Sequence, residues 1–437
     1  MIIVDTALAE REQRGDPIQV GLVGAGFFGT AVAKQITRSV PGMRIAAISN
    51  RTVERARSAY ERAGVDDVAH VSSASELDAA VERGQAAITD DPDVLCEAEG
   101  VDAILEATGT VAFGAGVALS ALEAGKHLVL VNAELDATLG PILKRYADRA
   151  GVVLTDGDGD QPAVQVNLAR FARSLGLRPV LCGNVKGLMD HYRTPETQKG
   201  FAEKTGQAAY MAASFADGSK ISFEQAVTAN ALGMPVQQRG MVGYQYDGYV
   251  DEPEHLALYD ADDLSTRGGV VDYVLGAKPG ASVFVLAVHD DPEEHHFLDL
   301  YKLGPGPLYC LHAPFHLCYF EAPLTIARAV DFGDAAAAPR GGPVVEVVAT
   351  AKRDLKAGEA LDGIGHYMTY GQCENHDDAR GADLLPMGLA EGCTLVRDVP
   401  KDAVLTFADV EVPNDRLVDR LWREQEAAFE TATTASA

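Results

Sequence analysis

The chain has 437 residues, 47% of them hydrophobic, and a formal net charge of -27, a length that suits about three domains with their own cores. Such acidity repels phosphate backbones and anionic bilayers, which excludes broad nucleic-acid or membrane-surface binding, so an anionic small-molecule substrate requires a local basic pocket. No apolar run reaches the roughly 18 residues of a membrane span, the opening MIIVDTALAEREQRGD is charged where a leader is apolar, and the six scattered cysteines lack any CxxC; a cytoplasmic location with reduced thiols is expected.

Residues 18–60 read as a βαβ start: the apolar strand IQVGLVG, a glycine turn, the helix TAVAKQI, a second strand and another helix. The turn GAGFFG places Gly24, Gly26 and Gly29 around Phe27 and Phe28. Between a strand and a helix this is a dinucleotide fingerprint: the first glycine makes the tight turn, the second lets backbone approach a pyrophosphate, and the third permits close helix packing. The positive end of the helix then meets the phosphates. At the end of the second strand, where an NAD enzyme carries an acid, stands Ser49-Asn50-Arg51-Thr52. Arg51 suits the 2′-phosphate of NADPH, with Ser49 and Thr52 hydroxyls as further donors; the alternative is a solvated Arg51 and an Asn50 that caps the next helix. VDAILEATGT and GKHLVLVNAE continue the alternation, so residues 1–155 are expected to form a Rossmann-type, doubly wound parallel sheet that binds NADP.

The next stretch, TDGDGDQPA, follows the strand GVVL and precedes a helix with Pro162 in its first turn and Val164, Leu168, Phe171 and Leu175 at helical spacing. An EF-hand is excluded, because its sixth and twelfth positions hold Gln161 and Asn167. At the carboxyl end of a strand the stretch is expected to be an active-site loop. Asp156, Asp158 and Asp160 are candidate ligands for Mg²⁺ or Mn²⁺; without metal, they would bind substrate hydroxyls or cap the helix. Residues 183–204 supply the basic pocket, with Lys186, Arg193, Lys199 and Lys204 against Asp190, Glu196 and Glu203. Lys186, after an apolar strand, would donate to a developing alkoxide or hold a phosphate. Residues 218–233 read as one helix whose start is flanked by Lys220 and Glu224, the latter either sharing a face with Thr228 or capping. Residues 271–289 read as two strands around a turn, His295-His296 as a solvated turn, and His312 with His316 as packing or hinge residues. An α+β substrate domain over 156–332, a linker at GDAAAAPRGGP (333–343), a small β domain over 343–416 and a helix with tail over 417–437 complete the expected α/β organisation.

The run ILEATG followed by ALEAGKHLVLVNAEL resembles the nucleotide domain of homoserine dehydrogenases, which implies that Thr108 and Gly109 lie near the nicotinamide and that Asn132 is a cofactor-binding residue. Ala133 stands where those enzymes carry lysine, and GNVKGLMDHYR replaces their Asn-Gly-Thr substrate motif, so homoserine is a poor substrate candidate. GDGDQPAVQVNLARF, GNVKGLMDHYRTPETQKGFAEK and SFADGSKISFEQAVTAN are similar to the homoserine-dehydrogenase-like proteins that include deoxyxylulose-5-phosphate reductoisomerase-like enzymes, and residues 343–415 resemble their SAF domain. Ala163 departs from the glycine expected there. The resemblance implies an NADPH-dependent, dimeric oxidoreductase that reduces and rearranges a ketose phosphate or related acidic polyol, with Asp158, Asp160, Lys186, Arg193, Lys220 and Glu224 as catalytic candidates. The alternatives are a simple hydroxy-acid or homoserine-type dehydrogenase, and a nucleotide-binding sensor or scaffold.

Overall fold

The computed structural model describes residues 3–433, so the expected tail beyond the last helix lies outside the described residues. Two compact units make up the chain. The first comprises the described parts of Met1–Asp160, Leu317–Ala338 and Arg420–Ala437, and the second comprises Gln161–His316 and Pro339–Asp419.

In the first unit, β1 (Ile18–Val23), β2 (Met43–Ser49), β3 (Val68–His70), β4 (Ala86–Thr89), β5 (Ala103–Glu106), β6 (His127–Leu130) and β7 (Leu154–Asp156) form one sheet in the order β3-β4-β2-β1-β5-β6-β7. Every pairing in it is parallel. Its inner strands are apolar runs rather than alternating ones because helices cover both faces of a parallel sheet. The chain runs outward from β1 on one side, then returns to β5 on the other, so the crevice between β1 and β5 is the topological switch point where such sheets bind ligands. The core joins Ile18, Val20, Leu22, Ile48, Leu105 and Val129 to Val4 and Leu8 of the helix Val4–Arg14, which the sequence reading did not anticipate, and to Ala322, Ile326 and Ala327 of the helix Cys318–Phe332.

The expected linker is in part a packed crossing. Ala337 bridges Asp156 in antiparallel sense, and Thr155 Oγ1 accepts from the N–H groups of Ala336 (2.9 Å) and Ala337 (3.2 Å). Small residues that suit a flexible tether also suit close backbone approach, and composition cannot separate the two.

The second unit holds β8 (Arg178–Lys186), β9 (Tyr244–Gln245), β10 (Val270–Leu275), β11 (Val283–Val288) and β12 (Tyr309–Ala313) in the order β12-β11-β8-β10-β9. β10 runs parallel to β8, whereas β11 is antiparallel to both β8 and β12. The two strands expected around a turn at 271–289 are therefore not partners, because β8 lies between them. The helix Ser219–Leu232 is buried at every residue and packs against β8, β10 and the antiparallel pair β13 (Val345–Ala351) and β14 (Thr369–Asn375). A second short antiparallel pair, Thr394–Leu395 with Val410–Glu411, follows. His295 and His296 lie in the short helix Glu294–Leu300 instead of a turn, and His312 lies on β12, so its spacing to His316 is not helical. None of the six cysteines is in a disulfide. Among the described residues no helix is long and apolar enough to cross a membrane.

Candidate active site

In the first unit the three fingerprint glycines have separate steric tasks. Gly24 has φ +108, and a Cβ there would lie 2.9 Å from the Ala107 carbonyl oxygen; a Cβ on Gly29 would lie 1.9 Å from the Gly24 oxygen. At Gly26 the same construction meets nothing within 4 Å. The first and third glycines are thus required by neighbouring backbone, and the second leaves open the approach that a pyrophosphate needs. The helix Phe27–Ser39 begins there with no side-chain cap, so its first N–H groups are available to an anion. Phe28 packs on the core, whereas Phe27 is exposed.

At the end of β2, Asn50 is engaged with the glycine turn: its Oδ1 accepts from Ala25 N (3.0 Å) and its Nδ2 donates to the Thr52 carbonyl (2.8 Å). The N-cap position of the helix Val53–Ala63 belongs to Thr52, which corrects the capping role considered for Asn50. Ser49 is buried, while Arg51 and Thr52 are exposed. Arg51 makes no ion pair among the described residues and is available to an anionic partner.

Beside this turn lies a buried carboxylate absent from the sequence reading. Glu106, the last residue of β5, is fully buried. Its Oε1 accepts from Thr108 N (2.9 Å) and from the Thr108 hydroxyl, and its Oε2 accepts from Asn132 Nδ2 (2.9 Å). Asn132 in turn caps the helix Ala133–Ala150 by accepting from Leu135 N (3.1 Å). Burial raises the Glu106 pKa, opposed by these hydrogen bonds and reinforced by Glu134. The one available signal was an acid ending an otherwise apolar strand.

The aspartate loop has a different character from the one expected. Asp158 Oδ2 lies 2.9 Å from Arg328 Nη1 and accepts from Thr325 Oγ1 (3.1 Å), while its N–H donates to that same hydroxyl (2.6 Å). Gly159, with φ +83, lies so close to the Leu317–Cys318 peptide that a Cβ would sit 2.6 Å from the Leu317 carbonyl carbon. The loop is therefore bound to the start and the third turn of the helix Cys318–Phe332. Asp156, Asp158 and Asp160 are buried, and among the described residues they do not form a metal-holding group. The Mg²⁺ or Mn²⁺ expectation finds no support in this arrangement, and Asp158, already paired with Arg328, is a poor cation ligand.

In the second unit the sheet brings several expected residues to one face. Asn184 Nδ2 donates to Glu224 Oε2 (3.3 Å), and strand alternation puts Lys186, two residues further along β8, on the same side as Asn184. Lys186 Nζ stands 5.7 Å above the centroid of the Phe215 ring. Lys220 and Glu224 lie one turn apart on the buried 219–232 helix, so Glu224 is a mid-helix residue and not a cap. The Arg193 guanidinium is paired with Asp190 at 2.9 Å.

A glycine fingerprint at the switch point of a parallel sheet defines a dinucleotide-binding protein, and comparison with protein families sharpens this. Residues 18–131 match the oxidoreductase family with an NAD-binding Rossmann fold, GFO/IDH/MocA, and residues 159–322 match the catalytic domain of oxidoreductase DRL. The protein is an NAD(P)-dependent oxidoreductase. No curated protein matches the chain. Among solved structures it is similar to a probable dehydrogenase from Thermotoga maritima, at 14% identity over 74% of this chain and 91% of that one, with a TM-score of 0.42. It is also similar to KijD10, a 3-ketoreductase from Actinomadura kijaniata in complex with TDP-benzene and NADP, at 16% identity over 74% and 91% of the two chains, with a TM-score of 0.35. Likenesses this distant carry no functional weight.

Proposed function

We propose that the protein is an NADPH-dependent reductase of a small, anionic, polyhydroxylated carbonyl compound. The observation that carries the cofactor preference is Arg51, exposed at the end of β2 where no acid competes for a ribose hydroxyl. A bound nicotinamide supplies the hydride. Of the protein's own groups, the Lys186 and Lys220 ammonium groups hold the substrate anion and give a proton to the carbonyl oxygen, and Glu224, hydrogen-bonded by Asn184, orients substrate hydroxyls. A ketose phosphate of the deoxyxylulose type, rearranged before its reduction, is the most specific form of this reading; it rests on the resemblance of the 155–230 segments. No step is assigned to a metal. Plain reduction without rearrangement is the second form.

The test is NADPH oxidation with ketose phosphates and sugar acids, product carbon skeletons being read by NMR. A rearranged skeleton supports the reductoisomerase form, an unrearranged alcohol the plain reductase, and nucleotide binding without turnover of any substrate a sensor or scaffold. Arg51→Glu is expected to weaken NADPH at least tenfold, since a charge-assisted hydrogen bond of about 1.5–3 kcal/mol becomes a repulsion. Unchanged affinities for both NADPH and NADH would refute this placement of the 2′-phosphate.

A further inference from the structure

We propose that Glu106 is a positioning residue for the nicotinamide end of the cofactor, acting through Thr108 and Asn132. The inference rests on the nucleotide-site reading above and goes beyond it, because nothing in the fingerprint requires an acid at the end of β5. Glu106 pairs with Val23 of β1 on one side and Leu130 of β6 on the other, which places it at the switch-point crevice. The residue after it, Ala107, presents the carbonyl that lies 2.9 Å from the Cβ position of Gly24, so the loop following β5 abuts the glycine turn itself.

Every hydrogen bond of the network fixes that loop. Glu106 Oε1 holds Thr108 at both its N–H and its hydroxyl, and Oε2 holds Asn132 Nδ2, which also donates to the Thr110 carbonyl (3.2 Å). Asn132 is simultaneously fixed at its other end as the cap of the 133–150 helix. A Cβ on Gly114 would lie 3.0 Å from Asn132 Nδ2 and 3.4 Å from the Glu106 carboxyl carbon, so the helix Val111–Glu123 closes directly over the carboxylate. A buried carboxylate with both oxygens accepting is costly to keep in place unless the groups it holds matter. Here those groups are the 107–110 loop and the start of the next helix, the two segments that flank β5 and β6 on the ligand side.

The experiment uses the full-length chain and two ligands, NADPH and adenosine 2′,5′-bisphosphate, which has the adenine and 2′-phosphate ends but no nicotinamide. Glu106→Ala is expected to weaken NADPH about tenfold or more, the scale of losing charged hydrogen bonds, while the bisphosphate stays within about twofold. The fluorescence emission of bound NADPH is expected to move toward that of free NADPH. Glu106→Gln keeps the volume and the Thr108 bonds but sets an amide N–H₂ against Asn132 Nδ2; it is expected to give a smaller change in the same direction, and it decides the matter if the alanine variant does not fold. Variants that bind NADPH as the wild type does, with unaltered emission, overturn the inference. So does an equal loss of both ligands in a folded variant, which reveals a merely structural role. Wild-type protein that binds neither ligand overturns the nucleotide-site reading itself, a failure distinct from the other two.

Discussion

Asp136 shows what a single side chain can cost the fold. It lies in the first turn of the 133–150 helix, 1% exposed, and among the described residues neither carboxylate oxygen has a hydrogen-bond partner. Burial alone pushes its pKa up to about 7. The unfolded chain ionises this group near pH 4 and the folded chain does so only near pH 7, so the folded state binds the extra proton between those values. Stability is then greatest at low pH and falls as pH rises through 7, by on the order of 4 kcal/mol if the whole shift is realised. Asp136→Asn is expected to flatten the dependence of Tm on pH between 4 and 8 and to raise Tm at pH 8. Parallel wild-type and variant curves would contradict this account. Asp158, by contrast, is buried with a partner, and its arginine shows why three aspartates in a row need not form a cation site.

Two contacts between elements make stronger demands than any local propensity. Pro141 lies inside the 133–150 helix and cannot bond the Ala137 carbonyl, and the groups beside this break are engaged by the side-chain amide of Gln425. Gln425 Oε1 accepts from Ile142 N (3.1 Å) and its Nε2 donates to the Thr138 carbonyl (3.2 Å). Gln425→Leu leaves both groups buried and unpaired and is expected to destabilise by about 1–3 kcal/mol, measured by urea unfolding; an effect below about 0.5 kcal/mol would mean that the helix repairs itself. In the second unit, Lys352 Nζ, at the end of β13, stands 2.7 Å from Asp217 Oδ2 and donates to the carbonyls of His366 (2.7 Å) and Arg193 (2.8 Å). Burial raises the Asp217 pKa and Lys352 opposes the shift. Lys352→Met strands the carboxylate and is expected to cost about 3–5 kcal/mol, whereas the double variant Lys352→Met with Asp217→Leu should recover much of that loss.

The whole molecule follows a chain path that crosses between its units more than once. Residues 317–338 and the C-terminal helix return to the nucleotide unit, and β13 and β14 pack on the helix that carries Lys220 and Glu224. A β module tethered by a linker would be dispensable for nucleotide binding. Deletion from Gly342 onward is instead expected to lower Tm and to weaken NADPH binding, since it removes Gln425 from the proline break and the strand pair from the central helix; a truncated protein with wild-type affinity would show that the unit tolerates both losses. The βαβ opening, the glycine fingerprint, the missing acid at Arg51 and the strand-to-helix turn at Pro162 are legible in the sequence alone, because each is a local steric or charge requirement read over a few residues. The order β11-β8-β10, the bonding of Ile142 and Thr138 to Gln425, the neutralisation of Asp158 by Arg328 and the gathering of Thr108 and Asn132 around Glu106 emerge only once the chain is packed. Those depend on groups far apart in the chain, and a buried polar side chain reveals its partner only when the packing has brought the two together.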